Sequence, residues 1–269
     1  MQKFQIVKKP AYAIESVDNA LQLILMLQER DSVRVHEAAE RLGVAQSTAH
    51  RLLATLVYRG FALQDEGRRY TAGPAFSDDS RHGRLQDVVA RALPHLDELT
   101  AAVGETSNLV TRFGTSVRFL ASAESRQILR VGDRTGSVLP ARLSSGGKAM
   151  LATLDPATLR QLFTGRGAQM SGEQLGEEAL RALEAELAAV RESGVAINRG
   201  LTEPGLVAMG AAVPAPGGGS SHRAWLGVSL SVPDSRAGAL DEPETREALL
   251  ACCSSIAASL DAAGLTEPR

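Results

Sequence analysis

RLGVAQSTAHRLLATLVYRGF, Arg41 to Phe61, carries two apolar helical stripes separated by a single glycine. On a helical wheel of Gln46 to Gly60, Ala49, Leu52, Leu53, Leu56 and Val57 fall at the i, i+3, i+4, i+7, i+8 spacing of a core-facing stripe. The opposite side collects Gln46, Ser47, Thr48, His50, Arg51, Thr55 and Arg59. A DNA-reading helix needs short hydrogen-bonding groups and long cations in its first turns, because those turns reach the base edges. The partial positive charge at a helix N-terminus also suits a phosphate. Ser47, Thr48, His50 and Arg51 are therefore the expected base-reading residues, with Gln46 beside them. The bland alternative is a three-helix bundle with a solvated polar face.

The flanking sequence decides between the two. AIESVDNALQLILMLQER predicts a first helix, with Ser16 as its N-cap and Val17, Leu21, Ile24, Leu25 and Leu27 at core spacing. VRVHEAAERLG predicts a second helix, closed by Gly43 in the left-handed position after a helix end. After the third helix, FALQDEGRRYTAG predicts two short strands about the turn Asp65-Glu66-Gly67. Three helices and then a hairpin is the order of a winged helix-turn-helix, expected over 1–76. Arg68 and Arg69 sit near the wing tip and Arg34 precedes the second helix, where each would meet phosphates.

Charge is permissive. The chain has 29 Lys+Arg and 31 Asp+Glu, for a net −2, but the residues through Phe76 carry +2 and the remainder −4. Cys252 and Cys253 are adjacent in a predicted helix and point apart, which disfavours a disulfide between them or a metal cage. The first residues, MQKFQIVKKPAYAIES, lack the apolar core of a secretion signal, and no window approaches the roughly 18 apolar residues of a membrane span. A cytoplasmic protein without membrane attachment is expected.

Residues 74–84, PAFSDDSRHGR, are polar and aperiodic and mark a boundary. A linker and linker helix are expected over 77–96, with Pro94 starting a new segment or a kink, and a second domain over 97–269. There TSNLVTRFG, SVRFLASAE and QILRVG predict strands, and the loop DRTGSVLPARLSSGG leads into a helix KAMLATL. DPATLRQLF and GEEALRALEAELAAVRESG predict amphipathic helices, and VAIN, VAMGAAVPA and AWLGVSLSV predict strands. A flexible hairpin loop, PAPGGGSSHR, and a C-terminal helix from Glu242 to Ala263 complete the pattern. The fold class is α+β, the second half being an antiparallel sheet flanked by helices.

Enzyme signatures fail. SGGK, Ser145 to Lys148, matches the Ser-x-x-Lys of penicillin-recognising hydrolases, without the Ser-Asp-Asn or Lys-Thr-Gly that accompany it. GGKA lacks the upstream glycine of a phosphate-binding loop and has Ala149 where Ser or Thr is required. The five histidines (His36, His50, His82, His95 and His222) show no ligand spacing. Neither catalysis nor a cofactor or metal is expected.

SVDNALQLILML, EAAERLGVAQSTAHRLLATLVYRGF and RRYTAG together resemble successive signatures of the IclR family of bacterial transcriptional regulators. LPARLSSGGKAMLATL, ESGVAINRGLTEPGLVAMGAAVP and WLGVSLSVPDSR resemble the effector domain of that family, so the likeness runs from about Ile14 to the C-terminal helix. It implies a GAF-like α/β domain that binds a small organic or aromatic acid. It also implies homodimers, or dimers of dimers, on pseudo-palindromic double-stranded operator DNA, more often as a repressor. Carried over by position, the effector pocket involves Ile128, Val131, Ser145, Gly146, Asn198, Leu206, Ala208, Ser229 and Ser231. Three departures from the family pattern are Asn198 for an acidic residue, Ala208 for a cysteine and Arg142 for a histidine. They suggest an anionic or strongly polar effector, with Arg142 in the pocket. A metabolite-sensing or catalytic GAF-like protein, with a winged helix serving protein contacts, stands as the alternative.

Overall fold

The computed structural model describes residues 14–30, 32–65, 67–73, 75, 79–215 and 223–266. The chain divides into two compact units, Met1–Asp78 and Asp79–Arg269.

The first unit contains α1 (Glu15–Glu29), α2 (Val35–Leu42), α3 (Gln46–Tyr58) and the hairpin β1 (Ala62–Gln64) and β2 (Tyr70–Ala72). Leu23, Met26 and Leu27 of α1 pack inward with Ala49, Leu53 and Leu56 of α3. Two expectations for α1 are corrected. The helix is entered from Ile14, not Ser16. Val17, Leu21 and Leu25 are exposed and form, with Ile14, one outer stripe. The helix is apolar on nearly every side, so periodicity could not say which stripe faces inward.

Gly43 closes α2 at φ 65°, as expected, and three residues separate α2 from α3. Glu37 accepts the Arg34 N–H at 2.6 Å, fixing the start of α2, and that bond holds its carboxyl below the usual range. Val33 and Tyr70, both fully buried, exchange backbone hydrogen bonds at 2.7 Å. The segment before α2 is thereby fastened to the wing.

The second unit is a six-stranded antiparallel sheet between two helical layers. Its strands are β3 (Thr106–Phe113), β4 (Ser116–Ala123), β5 (Val138–Pro140), β6 (Ala196–Arg199), β7 (Leu206–Ala212) and β8 (Leu226–Pro233), in the order β5-β4-β3-β8-β7-β6. The helices are α4 (Asp79–Val103), α5 (Ser145–Ala152), α6 (Pro156–Thr164), α7 (Arg166–Ser171), α8 (Glu177–Ser193) and α9 (Pro243–Ala262), with a 3-10 turn over Asp234–Leu240. Side chains alternate across the sheet. Leu109 faces a core built with Leu96 of α4 and Ile256 of α9, whereas Val110 faces one built with Met150 of α5 and Leu187 of α8. Cys252 and Cys253 are free, and burial pushes the Cys252 thiol up to about 12 and that of Cys253 higher.

Several expectations for this half change. α4 begins at Asp79, inside the stretch read as aperiodic, and runs unbroken through Pro94. The proline costs the helix one hydrogen bond and about 3 kcal/mol, but Val88, Ala92, Leu96 and Leu99 are buried on both sides of it. QILRVG is loop, because β4 pairs with Val138–Pro140 instead. α5 begins at Ser145, three residues before the expected start, because the Ser144 Oγ accepts the Gly147 N–H at 3.0 Å. Of the expected hairpin loop 214–223, residues 216–222 lie outside the described residues. No helix among the described residues is long and apolar enough to cross a membrane.

Candidate functional sites

The first site is the outer face of α3. Gln46, Ser47, Thr48 and Arg51 are exposed, His50 is half-buried, and Leu52 and Val57 flank the buried stripe as partly covered residues. Ala45, the N-cap, has no side-chain oxygen to satisfy the first N–H groups, so they stay available to an anion. The Arg51 side chain takes no partner among the described residues. Arg34 is exposed at the start of α2. Arg69, also exposed, donates from Nη1 to the Ser32 Oγ at 3.0 Å.

The wing tip is strained. The Asp65 side chain accepts the Arg69 N–H at 2.8 Å, and its carbonyl accepts the Arg68 N–H at 3.1 Å. This turn puts Arg68, a non-glycine residue, in the left-handed region at φ 58°. A side chain there costs about 1–2 kcal/mol. Arg68→Gly should therefore leave the thermal stability of the first unit unchanged or raised by up to about 1 kcal/mol, glycine's greater unfolded-chain entropy offsetting part of the relief. Its affinity for duplex DNA should fall and the salt slope shrink by about one ion. A lowered melting temperature would show that the arginine supports the fold.

The second site is a cavity of about 300 Å³, counted out to its mouth, between the sheet and the first turn of α5. Strand register assembles it. Asn198 on β6 lies opposite Ala208 on β7, which lies opposite Ser231 on β8, so the three form one row across the sheet. Ser229 sits two residues from Ser231 on the same face. All four are buried. Ser145 and Gly146 cap the row from α5, with Leu206 at its edge. α5 can come this close because Gly210 and Gly146 meet without side chains; a Cβ on Gly210 would stand 2.4 Å from the Gly146 nitrogen. The N–H groups of Ser145 and Gly146 take no partner among the described residues.

Seven of the expected pocket residues (Ser145, Gly146, Asn198, Leu206, Ala208, Ser229 and Ser231) thus line one cavity. Three do not. Ile128 is fully exposed on the loop after β4. Val131 meets Thr106 through its carbonyl, at 2.6 Å. Arg142 is held by Glu173 at 2.8 Å and does not line the cavity. Arg142→Ala should leave the affinity for any small acid that binds this cavity unchanged in calorimetry; a tenfold loss would return this arginine to the pocket.

The cation that does line the cavity is Arg134, eight residues earlier and on the other side of β5. Its guanidinium lies 5.6 Å over the Phe119 ring and donates to Glu203 at 2.9 Å. Its backbone N–H donates to the Ser122 Oγ at 3.2 Å, and that hydroxyl donates to the Asn108 Oδ1 at 2.8 Å. Asn108 Nδ2 donates to the Ser231 Oγ at 3.2 Å, which closes a polar chain from the loop to the cavity floor. Neither Arg134 nor Asn108 stood out in sequence, since a loop position and one buried strand asparagine carry no periodic signal.

Chemically, the cavity offers a guanidinium, two helix-start N–H groups and several serine hydroxyls, against apolar walls from Val110, Phe119 and Leu139. That is a setting for a small anion, with apolar surface for contact area. Lys148, the lysine of the SGGK motif, is buried and ion-paired with Glu186 of α8. Among the described residues no cluster of His, Cys, Asp and Glu could hold a metal.

Residues 16–66 match the IclR helix-turn-helix domain, and residues 84–258 match the bacterial transcriptional regulator IclR C-terminal domain. The HTH-type transcriptional regulator BhcR of Paracoccus denitrificans is 32% identical over 228 residues, covering 83% of this chain and 79% of that protein. The transcriptional repressor IclR of Escherichia coli is 28% identical over 172 residues, covering 60% and 63%. An IclR homolog from Microbacterium hydrocarbonoxydans, solved in complex with 4-hydroxybenzoate, shares the fold at a TM-score of 0.55 and 20% identity, over 92% of this chain and 99% of that one.

Proposed function

Because the chain belongs to the IclR family of bacterial transcriptional regulators, we propose that it is a repressor whose hold on its operator is set by a small organic acid. The acid would sit between α5 and the sheet. The observation that carries this reading is the row Asn198–Ala208–Ser231, closed above by the α5 N-terminus and flanked by Arg134. One positive group and several hydrogen-bond donors in a small cavity favour a compact carboxylate.

On the DNA side, Ser47, Thr48, His50 and Arg51, with Gln46, read bases in the major groove. Arg34, Arg68 and Arg69 hold phosphates. The protein acts as a homodimer, or a dimer of dimers, on a pseudo-palindromic operator, its half-sites about one helical turn apart. The exposed apolar stripe of Ile14, Val17, Leu21 and Leu25 supports pairing, since contiguous apolar surface favours a covering partner. The acid shifts DNA affinity only if it binds two arrangements of the protein unequally, and α4, which opens the second unit at Asp79, is the covalent route for that bias.

Thermal-shift measurements with small carboxylates and their neutral amides test the effector half of the reading. At one hundred times its Kd, a ligand adds about 2.7 kcal/mol of stability. Stabilisation by an acid and not by its amide is expected. Equal or absent shifts across aliphatic and aromatic acids would contradict an acid-binding cavity.

A further inference from the structure

Two loops carry the ends of one ion pair. Arg134 lies on the loop between β4 and β5. Several bonds pin that loop to the fold: Thr106 donates to the Val131 carbonyl at 2.6 Å, Arg236 to the Leu129 carbonyl at 2.9 Å, and Ser125 to the Gly104 carbonyl at 2.6 Å. Glu203 lies on the loop between β6 and β7. Gly200 (φ 69°) and Gly205 (φ 81°) bracket that loop, both in the left-handed region and with open space around them. Asn198 holds it from below, donating to the Thr202 Oγ1 and accepting the Leu201 N–H, each at 2.9 Å. Backbone bonds close its base, Gly200 N–H to the Leu206 carbonyl at 2.9 Å and Asp234 N–H to the Gly205 carbonyl at 2.8 Å, and from the other side Glu203 meets Arg134.

The pair is lopsided. The Arg134 side chain is 18% exposed and lines the cavity, whereas that of Glu203 is 57% exposed. Only Nη2 of the guanidinium reaches Glu203, and its Nε and Nη1 take no partner among the described residues. Single contacts of this exposure contribute little, whereas a carboxylate that engages a guanidinium with both oxygens gains in strength and geometry.

We propose that Glu203 is an internal competitor for the effector's carboxylate. Glu203 and the ligand exclude one another from Arg134, so the ligand's arrival releases the Gly200–Gly205 loop, and Glu203 sets how much affinity a carboxylate must supply. This rests on the acid-binding reading of the cavity and adds to it the residue that gates binding. Asn198 extends the same device: its amide, spent on Leu201 and Thr202, couples the cavity floor to that loop.

Calorimetry on the full-length protein tests this with 4-hydroxybenzoate and, as its neutral counterpart, 4-hydroxybenzamide. Glu203→Gln keeps the shape of the side chain and removes its charge. It should bind the carboxylate about two- to fivefold tighter, the equivalent of one lost exposed ion pair, with the affinity for the amide unchanged. Arg134→Gln should abolish the preference for the carboxylate. Without ligand, amide hydrogen exchange across 200–205 should quicken in Glu203→Gln. If wild type prefers the carboxylate but Glu203→Gln binds it no tighter, or the loop exchanges as before, the competitor is overturned and the acid site stands. If wild type binds both probes alike, or binds neither and no acid of the thermal-shift series, the acid-binding reading falls and the competitor with it.

Discussion

Arg51→Ala should lower affinity for the DNA flanking the gene by about ten- to a hundredfold, the range for losing one arginine contact to a base. The side chain is exposed on α3 and takes no partner among the described residues. Its removal should therefore change thermal stability by no more than about 0.5 kcal/mol. That separation makes the variant informative. An arginine serving only phosphates would weaken all duplexes alike, whereas a base-reading arginine also narrows the gap between cognate and scrambled sequence. Fluorescence anisotropy at several salt concentrations distinguishes the two. Unchanged affinity would remove α3 from the groove.

Gly210→Ala should have the largest effect on the second unit. The added methyl would stand 2.4 Å from both the Gly146 nitrogen and the Ser145 carbonyl carbon, all of it backbone, so no flexible side chain can yield. Overpacking of this kind costs typically 1–3 kcal/mol, and the upper figure applies when a whole helix must lift. At about 3 kcal/mol the melting temperature falls by roughly 6–12 °C. The lifted helix also takes the Ser145 and Gly146 N–H groups away from the cavity, so carboxylate binding should be lost with the stability. Gly167→Ala is the control. It lies inside α7, a Cβ there meets nothing within 4 Å, and alanine should stabilise by about 0.5–1 kcal/mol. If Gly210→Ala melts and binds like wild type, close packing of α5 on the sheet does not build the site.

What the sequence disclosed follows the range of the forces involved. Ala49, Leu53 and Leu56 were legible as core because helical spacing is local, and the strands around Asn198, Ala208, Ser229 and Ser231 because short apolar runs bounded by turn residues are local too. The inward stripe of α1 was not, because Ile14, Val17, Leu21 and Leu25 are as apolar as the residues that are buried. QILRVG has the composition of a strand, yet β4 has one free edge and Val138–Pro140 takes it. The same pairing explains the exchange of arginines. Arg134 and Arg142 lie on either side of β5, and the long-range register of that strand leaves the first at the cavity and the second beside Glu173. No local pattern carries that choice.

The proposed function requires that carboxylate occupancy of the second unit control what the first unit does on DNA. Anisotropy of labelled DNA from the flanking region, titrated with protein at fixed salt in the presence and absence of a saturating carboxylate selected by thermal shift, measures it most directly. The predicted result is salt-sensitive binding whose midpoint moves by at least about fivefold when the acid is added, the low end of ordinary coupling between sites, and no movement in Arg134→Gln. Tight, salt-sensitive binding with the same midpoint at saturating acid would contradict the account.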